Sequence, residues 1–147
     1  MSAPHILIIE ARFYGEIADM LANGATAALN AAGATYERYQ VPGVLEVPLA
    51  LSMALAREKH FDGYVLLGCV IRGETSHYDI VANESARAVM DFGVEHALAL
   101  GNGILTVETG EQAIVRADPK QKNKGADAAN AALSLIALRP KLAGSNG

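Results

Sequence analysis

Short runs of consecutive apolar residues alternate along the chain with longer segments in which apolar positions recur every three or four residues. The first pattern is typical of strands buried on both faces, and the second is typical of helices with one buried face. The predicted strands span residues 5–10, 35–41, 64–71 and 103–108. The predicted helices span residues 16–32, 46–58, 76–98, 111–116 and 126–138. The fifth helix is expected to end before Pro140, and Ile80 in the third is expected to face inward.

The regular alternation of strands and helices predicts an α/β fold. We expect a single three-layer α/β/α domain over residues 1–147, with a four-stranded, mostly parallel sheet of the flavodoxin-like type. In such sheets ligands bind beyond the carboxyl ends of the strands. The candidate site loops are therefore residues 11–15, 41–46, 72–77 and 109–111.

Composition and charge narrow the class of protein. Apolar residues make up 51% and charged residues 19% of the chain, which is typical of a globular domain. No apolar run approaches the roughly 20 residues that span a bilayer, and the N-terminal segment lacks the features of a signal peptide. The single cysteine, Cys69, excludes an internal disulfide and leaves too few thiols for a structural zinc site. We therefore expect a cytoplasmic protein without membrane contact, and the net charge of −4 argues against nucleic acid as a partner.

The richest candidate is the segment GCVIRGETSHYD, residues 68–79, in which an apolar strand opens into a helix. Gly73 frees the backbone as it leaves the strand, and Thr75 or Ser76 can cap the helix, with Ser76 and Asp79 spaced as a capping box. The N–H groups of the first turn and the helix dipole together favour an anion. We expect a phosphate site here.

The spacing of Gly68 and Gly73 in this segment resembles that of a nucleotide-binding P-loop. Glu74 and Thr75 stand where a P-loop has the lysine and the hydroxyl residue that serve the β- and γ-phosphates and their magnesium ion. Without that lysine a nucleoside triphosphate is disfavoured, and a single phosphate monoester suits the segment better.

Several side chains near these loops have two interpretations. His77 has the chemistry to move protons near neutral pH, yet spacing alone favours an ordinary surface histidine. Glu46 is by itself most simply a dipole partner in the first turn of a helix, and Phe13 either stacks on a flat ring or covers the core. Arg116 and Lys124 can bind phosphate, although solvation at the surface is the default for both.

Six blocks of sequence, in order and over nearly the whole chain, resemble the lumazine synthase family. They are ARFY near the start, VPGVLEVP at 41–48, GCVIRGETSHYDIV at 68–81, GNGILTVE at 101–108, EQAIVRA at 111–117 and NKGADAA at 123–129. The resemblance implies a step of riboflavin biosynthesis, in which 5-amino-6-(D-ribitylamino)uracil and 3,4-dihydroxy-2-butanone 4-phosphate give 6,7-dimethyl-8-ribityllumazine, phosphate and water. It also implies that no metal and no organic cofactor take part.

The resemblance assigns a role to each matching residue, with His77 as the proton-transfer residue. The others would bind the substrates: Phe13 would stack on the pyrimidine, Val44, Leu45 and Glu46 would hold the ribityl chain, Val70 and Ile71 would border the ring, Gly73, Glu74 and Thr75 would line the phosphate site, Arg116 would bind phosphate, and Lys124 would complete the polar wall.

The resemblance further implies a homo-oligomer, because sites in the family lie between neighbouring subunits of a pentamer, or of a sixty-subunit shell of twelve pentamers. Asn102, Arg116 and Lys124 would then reach the site from the adjacent chain. Many members have an aromatic residue where Asn102 stands and a glutamate where Val115 stands. The lack of an obvious insertion in residues 116–125 permits the shell, but Pro119 and a short N-terminus, with little room for the leading strand of many members, leave both assemblies open.

Two other classes of protein remain as alternatives. A non-catalytic protein that binds a flavin or a lumazine would keep the same pocket, and the departure at Asn102 keeps this interpretation open. A phosphate-responsive flavodoxin-like module rests on the fold alone. Turnover of the two substrates distinguishes the enzyme from both.

Overall fold

The structure is a computed structural model, and it describes residues 3–144 of the chain. Strands and helices alternate within this range, and a fifth helix follows the fourth directly. The elements are β1 (His5–Ala11), α1 (Gly15–Ala31), β2 (Thr35–Val41), α2 (Glu46–Leu55), β3 (Gly63–Ile71), α3 (His77–Glu95), β4 (Leu100–Val107), α4 (Gly110–Ala117) and α5 (Lys124–Leu142).

The four strands form one parallel sheet in the order β2-β1-β3-β4. β1 pairs with β2 from His5 opposite Thr35 onward, and it pairs with β3 from Ile6 opposite Gly63 onward. The predicted α/β fold and four-stranded sheet are therefore confirmed, and every strand pairing is parallel. Because the chain passes from β2 across β1 to reach β3, the winding reverses between β1 and β3, which is where a ligand cleft is expected.

Helices cover both faces of the sheet and enclose two apolar clusters. α1, α4 and α5 pack on one face, toward which Ile6 and Ile8 of β1 point. α2 and α3 pack on the other face, toward which Leu7 and Ile9 point. Side chains alternate along a strand, so Glu10 lies on the face that α1 covers.

Two glycines allow α5 to approach its neighbours closely. A Cβ on Gly125 would lie 2.0 Å from the Leu21 carbonyl oxygen of α1, and a Cβ on Gly101 of β4 would lie 1.8 Å from the Ala128 carbonyl oxygen of α5. Real Cβ atoms do not come within 3.0 Å of such neighbours. Residues without a side chain are therefore required where α5 meets α1 and where it meets β4.

The ends of several elements differ from those predicted. α3 ends at Glu95 and not at residue 98, because Ala97 has a left-handed backbone conformation that a helix does not continue through, and β4 begins at Leu100 and not at residue 103. α5 continues through Pro140 to Leu142, because a proline in the last turn removes only one backbone hydrogen bond of a helix that ends two residues later. α2 ends at Leu55 and not at residue 58. The N–H of Arg57 donates to the carbonyl of Ala54, and such a tightened final turn closes the helix early.

The inward-facing side of α3 also differs from the prediction. Ile80 was expected to face inward but is 55% exposed, whereas Val81, Ser85 and Val89 are buried. Apolar residues lie on two adjacent sides of this helix, and the periodicity does not say which side meets the sheet. Among residues 3–144, none of the helices combines the length and the apolar character that a membrane-spanning segment needs.

Candidate functional site

A cavity of about 390 Å³ opens at the carboxyl edge of the sheet, where the winding reverses. It is built by the loops that follow β1, β2 and β3, together with the first turns of α2 and α3. Its lining residues are Phe13, Tyr14, Gly43, Val44, Leu45, Glu46, Cys69, Val70, Ile71, Gly73, Thr75, His77, Tyr78 and Val81. Three of the four loops predicted from the sequence therefore meet at this cavity, and the loop after β4 does not contribute to it.

Most of the predicted site residues lie together in the wall of this cavity. They come from three loops that are separate in sequence and adjacent in space: Phe13, Val44, Leu45, Glu46, Val70, Ile71, Gly73, Thr75 and His77. The sequence did not single out five further lining residues, although each is next to a predicted residue or within one helical turn of one: Tyr14, Gly43, Cys69, Tyr78 and Val81. The functional roles given to these residues remain predictions.

The first turn of α3 forms the polar end of the cavity. The Thr75 hydroxyl accepts a hydrogen bond from the His77 N–H at 3.3 Å, so Thr75 supplies a side-chain contact at the helix start. Ser76 makes no side-chain capping bond, and the predicted capping box with Asp79 does not form, because Ser76 already has a helical backbone conformation. An N-cap side chain normally needs an extended backbone to reach forward. His77 itself is exposed to solvent at the mouth of this turn.

Arg72 secures the loop that leads into α3. Its Nε donates to a Glu108 carboxylate oxygen at 2.8 Å, and its Nη1 donates to Asp79 at 3.4 Å. Glu108 follows β4 and Asp79 lies in the first turn of α3, so this side chain joins three segments around the polar end. The arginine side chain is 41% exposed, and each ion pair is consequently of modest strength.

Glu46 lies at the side of the cavity formed by α2. Its backbone N–H donates to the Gly43 carbonyl at 3.2 Å, and a Cβ on Gly43 would lie 3.2 Å from Glu46 Oε1, so the carboxylate lies close to the Gly43 backbone. Val44 beside it is buried and packs in the apolar cluster under α2, whereas Leu45 is 37% exposed. The carboxylate thus lies next to an apolar wall, which suits a ligand with both hydroxyl groups and a flat ring.

Phe13 and Cys69 mark the apolar side of the cavity. The Phe13 ring is 74% exposed, and the Tyr14 ring meets it edge-on with centroids 4.9 Å apart. Burial raises the pKa of the Cys69 thiol to about 11, which favours the protonated thiol at neutral pH. Cys69 is buried in β3 and also lines the cavity.

Four predicted residues do not line the cavity in a single chain. Glu74 is exposed in the loop between Gly73 and Thr75. Asn102 is exposed on β4, and its Oδ1 accepts a hydrogen bond from the Ile104 N–H at 3.0 Å. The two remaining residues are cations that contact their own helices: the Arg116 guanidinium donates to the Gln112 carbonyl within α4, and Lys124 pairs with Asp127 at the start of α5.

Residues 3–144 contain no cluster of three or more His, Cys, Asp and Glu side chains that could hold a metal ion. The cavity instead combines an aromatic ring, a carboxylate, a histidine and the first turn of a helix. Such a set can bind and orient polar organic molecules and can transfer protons.

Comparison with known proteins gives a consistent result. The sequence model described as 6,7-dimethyl-8-ribityllumazine synthase matches residues 3–140. The chain is 59% identical over 142 residues to 6,7-dimethyl-8-ribityllumazine synthase 1 of Rhizobium meliloti, covering 94% of this chain and 93% of that protein. It is 55% identical over 148 residues to the 6,7-dimethyl-8-ribityllumazine synthase of Agrobacterium fabrum, covering 98% of this chain and all of that protein. The resemblance seen in the sequence is confirmed: this chain belongs to the 6,7-dimethyl-8-ribityllumazine synthase family.

Proposed function

We propose that this chain condenses 5-amino-6-(D-ribitylamino)uracil with 3,4-dihydroxy-2-butanone 4-phosphate, and that it does so in a site shared between two subunits of a homo-oligomer. The products are 6,7-dimethyl-8-ribityllumazine, phosphate and water. The observation that carries the proposal is the cavity in which the loops after β1, β2 and β3 bring Phe13, Glu46 and His77 together.

Each part of the cavity suits one part of the substrates. The exposed Phe13 ring offers a flat surface for the pyrimidine, and Val70 and Ile71 would border its edge. Glu46 would accept hydrogen bonds from ribityl hydroxyl groups, next to the backbone of Val44 and Leu45. The loop with Gly73, Glu74 and Thr75 would receive the phosphate at the start of α3.

The chemistry requires proton transfers rather than redox steps. The amine of the pyrimidine attacks the ketone carbon, water leaves, and a C=N bond forms. Loss of a proton from C3 of the butanone skeleton then expels phosphate from C4 and leaves an enol, which tautomerises to a ketone at C3 with a new methyl group at C4. Attack of the ribityl-bearing nitrogen on this ketone closes the ring with loss of a second water. His77 would carry protons between these groups, while alignment of the two substrates supplies much of the rate increase.

Among residues 3–144, no lysine or arginine lines the cavity of one chain to hold the departing phosphate, since Arg116 lies in α4 and Lys124 at the start of α5. We propose that Arg116, Lys124 and Asn102 of an adjacent subunit complete the site in a pentamer or in a shell built from pentamers. Exposed apolar residues on α2 and α3 support association, namely Leu49, Met53, Ile80, Met90 and Val94. The proposed location is the cytoplasm, with which the one free cysteine is compatible.

Turnover of the two substrates tests the proposal directly. The purified protein is supplied with both compounds, and the fluorescence of the lumazine product is followed against the spontaneous reaction. Formation of product above that background supports the enzyme, whereas tight binding of riboflavin or lumazine without turnover would identify the non-catalytic alternative. Light scattering of the same sample should give at least a pentamer, and a lone monomer of 15.4 kDa would contradict the shared site.

A further inference from the structure

Glu10 is a charged side chain with no exposure to solvent, and it lies near the carboxyl end of β1. Its carboxylate accepts two bonds from Arg38 of β2, from Nε at 2.5 Å and from Nη2 at 3.0 Å, and a third from Arg12 Nη1 at 3.3 Å. A carboxylate removed from water is costly unless such partners satisfy it. Glu10 points toward α1 and does not line the cavity.

Arg12 connects this buried carboxylate to the loop that precedes α1. While its Nη1 donates to Glu10, its Nη2 donates to Asp19 of α1 at 2.5 Å and to the Gly15 carbonyl at 3.5 Å. Its backbone N–H also donates to the Val41 carbonyl at 2.9 Å. We name the set of Glu10, Arg12 and Asp19 the Arg12 bridge. The bridge ties the end of β1 to α1 across residues 12–15.

The two aromatic residues of the cavity lie inside the span that the bridge closes. Phe13 and Tyr14 follow Arg12 directly and precede Gly15, and both line the cavity. The Phe13 ring is 74% exposed, so its position depends on the backbone that carries it and on the edge-on contact with Tyr14. If the backbone of this loop were more flexible, the Phe13 ring would occupy many positions. Substrate binding would then have to order the ring, at a cost in affinity.

We propose that Glu10 and Asp19 are positioning residues that act through Arg12 to hold the Phe13 ring where the pyrimidine stacks. The proposal rests on the proposed function and adds residues that do not touch substrate. The loop after β3, which forms the phosphate end of the cavity, makes none of the bonds of the Arg12 bridge. The bridge should therefore affect binding of the pyrimidine and leave binding of the butanone phosphate unchanged.

Steady-state kinetics on Asp19→Asn and Glu10→Gln test this inference in the assembled enzyme. The Asp19 side chain is 64% exposed, so Asp19→Asn leaves the core intact. We expect the KM for the pyrimidine to rise about three- to tenfold in both variants, with kcat and the KM for the butanone phosphate changed less than about twofold. Arg38→Gln is the matched control, because it removes the other partner of Glu10 and leaves the Arg12 bridge in place. It should lower the melting temperature without raising the KM for the pyrimidine.

A KM for the pyrimidine that stays at the wild-type value in Asp19→Asn would overturn the inference, and so would an equal rise in Arg38→Gln. If Glu10→Gln does not fold, Asp19→Asn decides alone. If the wild type makes no lumazine, the proposed function fails separately, and hydrogen exchange then tests the bridge. The Ala18 N–H, which donates to the Tyr14 carbonyl, should exchange faster in Asp19→Asn than in Arg38→Gln or the wild type; equal rates would count against the bridge.

Discussion

The guanidinium carbon of Arg72 lies 4.2 Å from the centroid of the Tyr78 ring, so a cation covers the face of an aromatic residue in the first turn of α3. The same arginine donates to Glu108 beyond the end of β4. One side chain thus joins the ends of two neighbouring strands to the helix that carries His77.

Replacing Arg72 by methionine should weaken the phosphate end of the cavity more than it weakens the fold. The side chain is 41% exposed, so solvent screens its ion pairs and they contribute little to stability. Loss of the anchor should raise the KM for the butanone phosphate about three- to tenfold, because the loop before α3 must then be ordered by the substrate. Arg72→Lys keeps the charge but lacks the planar guanidinium, so its KM for the butanone phosphate should lie between those of the wild type and Arg72→Met. A large drop in melting temperature with an unchanged KM would contradict this role.

Replacing His77 by alanine should slow the condensation without abolishing it. The variant loses a proton carrier, which we expect to lower kcat about a hundredfold, while alignment of the two substrates survives. His96→Ala is a suitable control, because His96 stacks on Phe92 just beyond the far end of the same helix. Stopped-flow measurement of lumazine formation separates the two variants. A His77→Ala enzyme with wild-type kcat would remove His77 from the mechanism.

Arg116→Ala should raise the KM for the butanone phosphate, and mixing it with His77→Ala should restore activity. In a shared site, His77 of an Arg116→Ala subunit can meet Arg116 of a His77→Ala neighbour. Random mixing would then rebuild about a quarter of the sites. Co-expression of the two chains with different tags, followed by purification of the mixed oligomer, provides the sample. Mixed oligomers no more active than the two parents would show that Arg116 does not cross between subunits.

Replacing Gly125 by alanine should destabilise the fold strongly. The new Cβ would lie 2.0 Å from the Leu21 carbonyl oxygen, and relief of this clash requires α1 and α5 to separate, at a cost of about 2 kcal/mol or more. Gly110→Ala is the matched control, since a Cβ there meets no atom within 4 Å and the residue begins α4. Thermal unfolding should show a lower melting temperature for Gly125→Ala alone. Equal melting temperatures would mean that the helices adjust freely.

Stability should fall in acid partly through Glu37 of β2. Hydrogen bonds from Lys59, His5 and Tyr39 lower the pKa of this carboxyl from 4.5 to about 2. The folded state therefore favours the deprotonated form, and its contribution is complete above about pH 5 and is lost as the pH falls toward 2. Glu37→Gln should flatten the decline in melting temperature between about pH 5 and pH 3, whereas Glu58→Gln, at an exposed position after α2, should not. Parallel curves for Glu37→Gln and the wild type would contradict this assignment.

The sequence predicted an element most accurately where both of its faces are buried, because a continuous apolar run then has a single structural interpretation. β3 is covered on both faces, and its predicted end at Ile71 is correct. Ile80 was misplaced because α3 has apolar residues on two sides, and only tertiary packing decides which of them meets the sheet. The predicted end of α5 was wrong because Pro140 occupies the last turn, where a helix tolerates it.

The sequence predicted the part of the candidate site that follows from the topology of the sheet. Parallel strands end at the same edge, so residues after β1, β2 and β3, such as Phe13 and His77, were expected to converge. Glu10 was not singled out, because a glutamate at the end of an apolar run gives no sign of whether arginines from other segments will enclose it. Arg116 lies in α4 and does not line the cavity of its own chain, and its proposed role across a subunit boundary came from the family resemblance, because no pattern within one chain indicates it.

The hydrogen bond from the Ile104 N–H to Asn102 Oδ1 has a consequence for the aggregation of the single chain. β4 is an edge strand, and an edge with free N–H groups can recruit a strand from another chain and start aggregation. By occupying a donor of its own strand, Asn102 removes one point at which a newly made chain could be extended into a larger sheet. The side chain at this position therefore covers one free donor of the edge strand, at a position that the proposed oligomer would present to a neighbour.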